Sequence, residues 1–75
     1  MKIGIVILNW NGLDLLRKHL NEIILNSDNS TIYIIDNNSS DESVLYVRNN
    51  YTEVKVISLD KNYGFAEAYN IGLKE

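Results

Sequence analysis

Asp36 closes a run of five strand-prone residues, Thr31 to Ile35, and so sets a carboxylate at the tip of a strand. An ionised carboxylate in that position can accept an imide N–H or ribose hydroxyls, which neutral side chains do less well. Capping of the turn or of the next helix is the competing role, because Asp collects at both. Asn9 and Asn11 flank Trp10 at the end of another apolar run. They suit a polar ligand, and equally a turn residue and a helix N-cap. Trp10 could stack on a base or cover the rim of a small core. Lys61 lies just beyond a third apolar run, where it could meet a phosphate or simply be solvated. His19 follows Arg17 and Lys18, with no second His and no Ser or Cys paired to it in sequence, which reads as a surface or partly packed histidine.

These residues need elements to hold them. Ile3 to Leu8, interrupted only by Gly4, is β-branched and nearly continuous, the pattern of a strand covered on both faces in a parallel sheet. Leu13, Leu16, Leu20, Ile23 and Ile24 then keep one helical face apolar, with Asn11 as the expected N-cap and Asp14 in the first turn. The polar stretch Asn26 to Ser30 ends that helix. After the second strand, Ser39 and Glu42 have the S-x-x-E spacing of a capping box, opening a second helix that carries Val44, Leu45 and Val47 and extends toward Tyr51. Val54 to Ser58 makes a shorter strand near a sheet edge, and Gly64 to Leu73 a last helix, with Phe65 and Tyr69 as expected core and Gly72 as a close-packing contact. Right-handed crossovers turn this alternation into an α/β fold: a three-stranded parallel sheet in the order 3-2-1 with flanking helices, three layers, half of a doubly wound domain. Residues 1–75 form one unit, with no repeat or linker. In such sheets ligands sit beyond the carboxyl ends of the strands, where Asn9 to Asn11, Asp36 to Asn38 and Leu59 to Asn62 converge.

Composition narrows the chemistry. Seventy-five residues support one thin core and leave little space for a two-site enzyme. Without cysteine there is neither a disulfide framework nor a thiolate metal site. Ten acidic and seven scattered basic residues, net charge −3, argue against nucleic acid as the partner. The longest apolar stretch is too short to cross a bilayer and lacks a signal-peptide pattern, so a cytoplasmic setting and no direct membrane insertion are expected. Neither G-x-G-x-x-G nor G-x-x-x-x-G-K-[ST] is present, and the first strand is not followed by the acidic pair of a phosphoacceptor domain.

Three segments together carry a resemblance: Ile5-Val6-Ile7-Leu8-Asn9-Trp10-Asn11-Gly12, Ile35-Asp36-Asn37-Asn38-Ser39-Ser40-Asp41 and Asn62-Tyr63-Gly64-Phe65-Ala66-Glu67-Ala68-Tyr69-Asn70-Ile71-Gly72-Leu73. In order and spacing they resemble the opening of a family 2 glycosyltransferase of the GT-A fold, nearest to the rhamnosyltransferase-like subgroup. The resemblance implies transfer of a sugar from a nucleotide-diphosphate sugar to a glycan or lipid acceptor. It implies that Asn9 and Asn11 line the base and ribose pocket, that Asp36 accepts a hydrogen bond from the base, and that Lys61, Asn62 and Gly64 close over the nucleotide. Asn38 stands where the family usually has Gly, a mild departure because Asn also tolerates positive φ.

The family's Asp-x-Asp motif, which holds a divalent Mg or Mn ion against the diphosphate, and its general base follow the last helix of this pattern. The chain stops at Glu75, ahead of both, so the resemblance implies no catalytic or metal-ligating residue here, a cofactor only in a longer protein, whose setting would be the cytoplasm or the inner membrane surface, and a chain inactive by itself. Two readings stay open: the nucleotide-recognition part of a glycosyltransferase, or a non-catalytic module that self-associates, forming a homodimer through an exposed first strand.

Overall fold

The structure is a computed structural model describing residues 3–27 and 30–74. Strands and helices alternate as β1 (Ile3–Asn9), α1 (Leu13–Leu25), β2 (Ser30–Asp36), α2 (Ser43–Asn50), β3 (Lys55–Ser58) and α3 (Phe65–Gly72). Both ladders are parallel, and β2 lies between β1 and β3, the expected 3-2-1 sheet. Helix α1 ends at Leu25 with Asn26 as its C-cap, inside the polar stretch that the sequence marks as its end; Asp28 and Asn29 of that stretch lie outside the described residues.

The alternation of side chains along each strand divides the core into two parts. On one face Ile5, Ile7, Ile32, Ile34 and Val56 pack with Leu16 and Leu20 of α1, Val47 of α2 and Val54. On the other, Val6, Leu8, Ile35 and Ile57 meet Leu59 and the small α3 residue Ala68. Leu20, Ile34, Ile35 and Val47 are fully buried, each stabilising the fold by roughly 1.5–3 kcal/mol relative to exposure. Helix α3 comes so close to β2 that a Cβ on Gly72 would stand 2.5–2.9 Å from Ile35 side-chain carbons.

Several local expectations are corrected. The strand covered on both faces is β2, whereas the described β1 side chains from Ile5 to Leu8 are only half-buried, because β1 has a neighbour on one side. Phe65 and Tyr69 do not join the core: Phe65 is 71% exposed, since α3 turns Ala68 and Gly72 to the sheet. Leu45 is likewise exposed on α2. Among the described residues no helix is long and apolar enough to cross a membrane.

Candidate functional site

Backbone pairing continues past the strand ends and fixes the three loops of the carboxyl rim. Asn37 N donates to Asn9 O at 2.8 Å, and Leu59 N donates to Asp36 O at 2.9 Å. Asn9 and Asp36, opposite one another in the parallel register, therefore stand side by side at the sheet's end. Both are buried, as is Asn37. Burial of polar groups is tolerable only when hydrogen bonds replace water, and here they do.

The Asn9 amide donates to Asp36 Oδ1 at 2.8 Å and to Ser43 Oγ at 2.9 Å, with a longer approach to Ser39 Oγ at 3.3 Å. Asp36 Oδ1 also accepts from Ser39 Oγ at 2.7 Å, and Oδ2 accepts from Ser39 N at 2.9 Å. Ser43 Oγ in turn donates to Asp41 Oδ1 at 2.5 Å. A chain of hydrogen bonds thus runs from Asp36 through Asn9 and Ser43 to Asp41. Gly12 is part of the same arrangement, because a Cβ there would collide with the Asn9 side-chain oxygen.

Neither helix at this rim has the cap that the spacing predicts. Asn11 is not the N-cap of α1: its φ is 50°, in the left-handed region that Asn tolerates, and Gly12 takes the cap position without a side-chain bond. The Asn11 side chain reaches instead to the next loop, where Oδ1 accepts from Ser40 N at 2.7 Å and Asp41 N at 3.2 Å. The Ser39–Glu42 capping box does not form, since α2 begins at Ser43 and the Ser39 hydroxyl is taken by Asp36. Asp41 supplies the missing acceptors to both helices, taking Ser43 N at 3.0 Å on Oδ1 and Leu13 N at 3.1 Å on Oδ2. Burial pushes its pKa up, but hydrogen bonds from the Ser43 hydroxyl, Ser43 N and Leu13 N outweigh it and hold the carboxyl below the ordinary Asp value.

On the other side of the rim, Asn37 binds the β3–α3 loop as a strand would. Its Oδ1 accepts from Tyr63 N at 2.8 Å, and its Nδ2 donates to Tyr63 O at 2.7 Å and Asn62 Oδ1 at 2.9 Å. A shallow cleft of about 280 Å³ opens above this floor, lined by Trp10, Asn37, Asn62, Tyr63, Gly64 and Phe65. Lys61 stands at its edge with Nζ 5.2 Å from the centre of the Tyr63 ring, and a hydrogen bond to Asp60 raises the pKa of the Tyr63 hydroxyl.

Of the residues singled out from sequence, Asn9 and Asp36 are buried at the strand tips, Asn62 and Gly64 line the cleft, and Asn11 and Lys61 are exposed on the neighbouring loops. Trp10 is 52% exposed beside the cleft, and His19 is exposed on α1, away from this group. Asn37, Ser39, Asp41 and Ser43 join this group without standing out in the sequence. The D-N-N-S-S-D run is the available signal, but the partners that these residues meet in the other loops lie 25–34 residues away. Among the described residues, no three His, Asp or Glu side chains come together as metal ligands. The rim carboxylates Asp36, Asp41 and Asp60 are each taken up by N–H or O–H donors, so this donor set does not fit a divalent ion.

No curated protein matches the chain. Compared with known protein families, residues 4–75 match Glycosyl transferase family 2, which agrees with three parallel strands and flanking helices as the N-terminal part of a GT-A domain. With nearly the whole length matched, the chain belongs to glycosyl transferase family 2.

Proposed function

We propose that the carboxyl rim of this sheet binds the nucleotide of a nucleotide-diphosphate sugar, as the recognition part of a glycosyltransferase acting on a glycan or lipid acceptor. The observation that carries the reading is the cleft between Trp10 and the Asn62–Phe65 segment, sited over the strand ends and near the ~300 Å³ at which small-molecule sites begin. A base would stack against Trp10, and Asp36, buried at the strand tip of the same rim, has an Oδ2 that accepts one hydrogen bond within the chain and retains capacity for a base N–H. Asn9 orients that carboxylate from behind. Asn11 forms the opposite lip, Asn62 and Gly64 close over the ligand, and Lys61 offers its ammonium to the diphosphate. The rhamnosyltransferase-like subgroup belongs to the same proposal, on the strength of the Asn9-Trp10-Asn11-Gly12 run. So does a cytoplasmic setting, which suits a chain free of disulfide chemistry.

Isothermal titration with UDP, GDP and dTDP sugars tests this. Weak binding that depends on the base and disappears in a folded Asp36→Ala variant is the expected result. No heat for any nucleotide at millimolar concentration would overturn it. A second reading, self-association, is favoured by one observation: β1 is a sheet edge whose residues from Gly4 to Leu8 carry no charge.

A further inference from the structure

The start of a helix leaves backbone N–H groups without partners, and a residue just before the helix ordinarily supplies the acceptor. Here α1 and α2 both begin without a side-chain cap from their own N-cap residues, Gly12 and Glu42. One carboxylate serves both. Asp41 Oδ1 accepts from Ser43 N, and Oδ2 reaches across to Leu13 N, the first residue of α1. The contact is reciprocal, because Asn11 Oδ1 accepts from Ser40 N and Asp41 N while Asn11 N donates to Ser39 Oγ at 2.9 Å. Two loops thirty residues apart in sequence are thereby clasped by each other's side chains.

Trp10 and Asn11 stand on the loop that this clasp holds. Asn11 can keep its left-handed backbone because the opposing loop binds its side chain and its N–H. We propose that Asp41 is a positioning residue of the rim: by tying the start of α1 to the start of α2 it sets where Trp10 and Asn11 stand, and so shapes the lip of the cleft. Two positive helix ends facing one carboxylate also favour its ionised form. The charged groups around the clasp are Glu42, exposed at the start of α2, Asp14 and Arg17 on the first turns of α1, and Asp36 behind Asn9. Arg17 is turned to the Tyr46 ring, 5.7 Å from its centre.

The role in ligand binding rests on the nucleotide reading above; the clasp itself does not, and two measurements keep them apart. In the unliganded protein, amide resonances are followed by NMR from neutral to acid pH. Leu13 and Ser43 N–H are expected to shift together with one midpoint, below the ordinary carboxylate range; independent titration, or a Leu13 amide that does not respond, overturns the clasp. Trp10, the sole tryptophan, then reports the loop by fluorescence. Asp41→Asn should change its emission and raise its quenching by acrylamide with helix content retained, and Asn11→Gly, which removes the other half of the clasp at an unstrained backbone, should do the same. Unchanged Trp10 signals in the folded variants overturn the positioning role. With UDP, GDP and dTDP as probes, Asp41→Asn should weaken whichever binds by at least about tenfold. Equal affinity in wild type and variant sinks the inference and leaves the nucleotide reading standing. A moved Trp10 signal with no nucleotide bound by wild type does the reverse.

Discussion

Asp36 and Asp41 lie five residues apart and are joined by hydrogen bonds through Asn9 and Ser43, yet only the first was apparent from its position. Asp36 ends an apolar run, so its place at a strand tip follows from local pattern. The work of Asp41 depends on Leu13, and of Asn11 on Ser40, pairings that no spacing rule encodes; the local rules instead predicted a cap and a capping box that tertiary contacts displaced. Asp41 also predicts an acid response. Its folded pKa is depressed relative to the unfolded chain, so the stability it contributes is fully present above the unfolded value and is lost as pH falls through the folded one. Asp41→Asn should cost about 1–2 kcal/mol at neutral pH on the scale of a lost N-cap. Urea unfolding should show the gap between wild type and variant closing as pH drops below the normal Asp range. A gap that is constant with pH would show that the carboxylate's charge contributes nothing.

Helices α1 and α3 show where periodicity succeeds and where it fails. In α1 the apolar spacing is long and its predicted face is the buried one, with Leu16 and Leu20 at its centre. Leu20→Ala should therefore destabilise by about 2–5 kcal/mol in denaturant titrations. In the eight residues of α3, large aromatics at helical spacing suggested the core, but the face that packs is the one bearing Ala68 and Gly72. Distance decides this: α3 lies against Ile35 so closely that no bulky side chain fits between. Gly72→Ala should cost about 1–3 kcal/mol by overpacking, despite the better helix propensity of Ala. Phe65→Ser should change stability by less than about 0.5 kcal/mol, as for an exposed position, while altering the cleft that Phe65 lines. If thermal melts rank these two substitutions the other way, the assignment of the packed face is wrong.

For the whole molecule, the order of elements and the sheet order were legible because strand and helix patterns alternate cleanly and parallel crossovers admit few topologies. The degree of cover on each strand was not, since apolar runs look alike in a central strand and at an edge. Strand β1 presents seven residues of edge, and a groove of about 230 Å³ runs from it across the sheet face, lined by Gly4, Val6, Tyr33, Ile35, Ile57, Gly72 and Leu73. From Gly4 to Asn9 this edge has none of the lysines, prolines or inward charges that usually blunt one. The 75-residue chain is therefore expected to associate with itself as concentration rises, by light scattering or sedimentation. Gly4→Lys is the discriminating change. Gly4 is exposed, its φ is not positive, and a Cβ there would meet only the Tyr33 ring at an ordinary 3.6 Å, so the substitution should leave the fold intact and put a charge on the edge. A shift of that variant toward monomer would place the contact at β1. A wild-type chain that stays monomeric at high concentration would mean that half-buried β1 side chains are not sufficient to drive edge pairing.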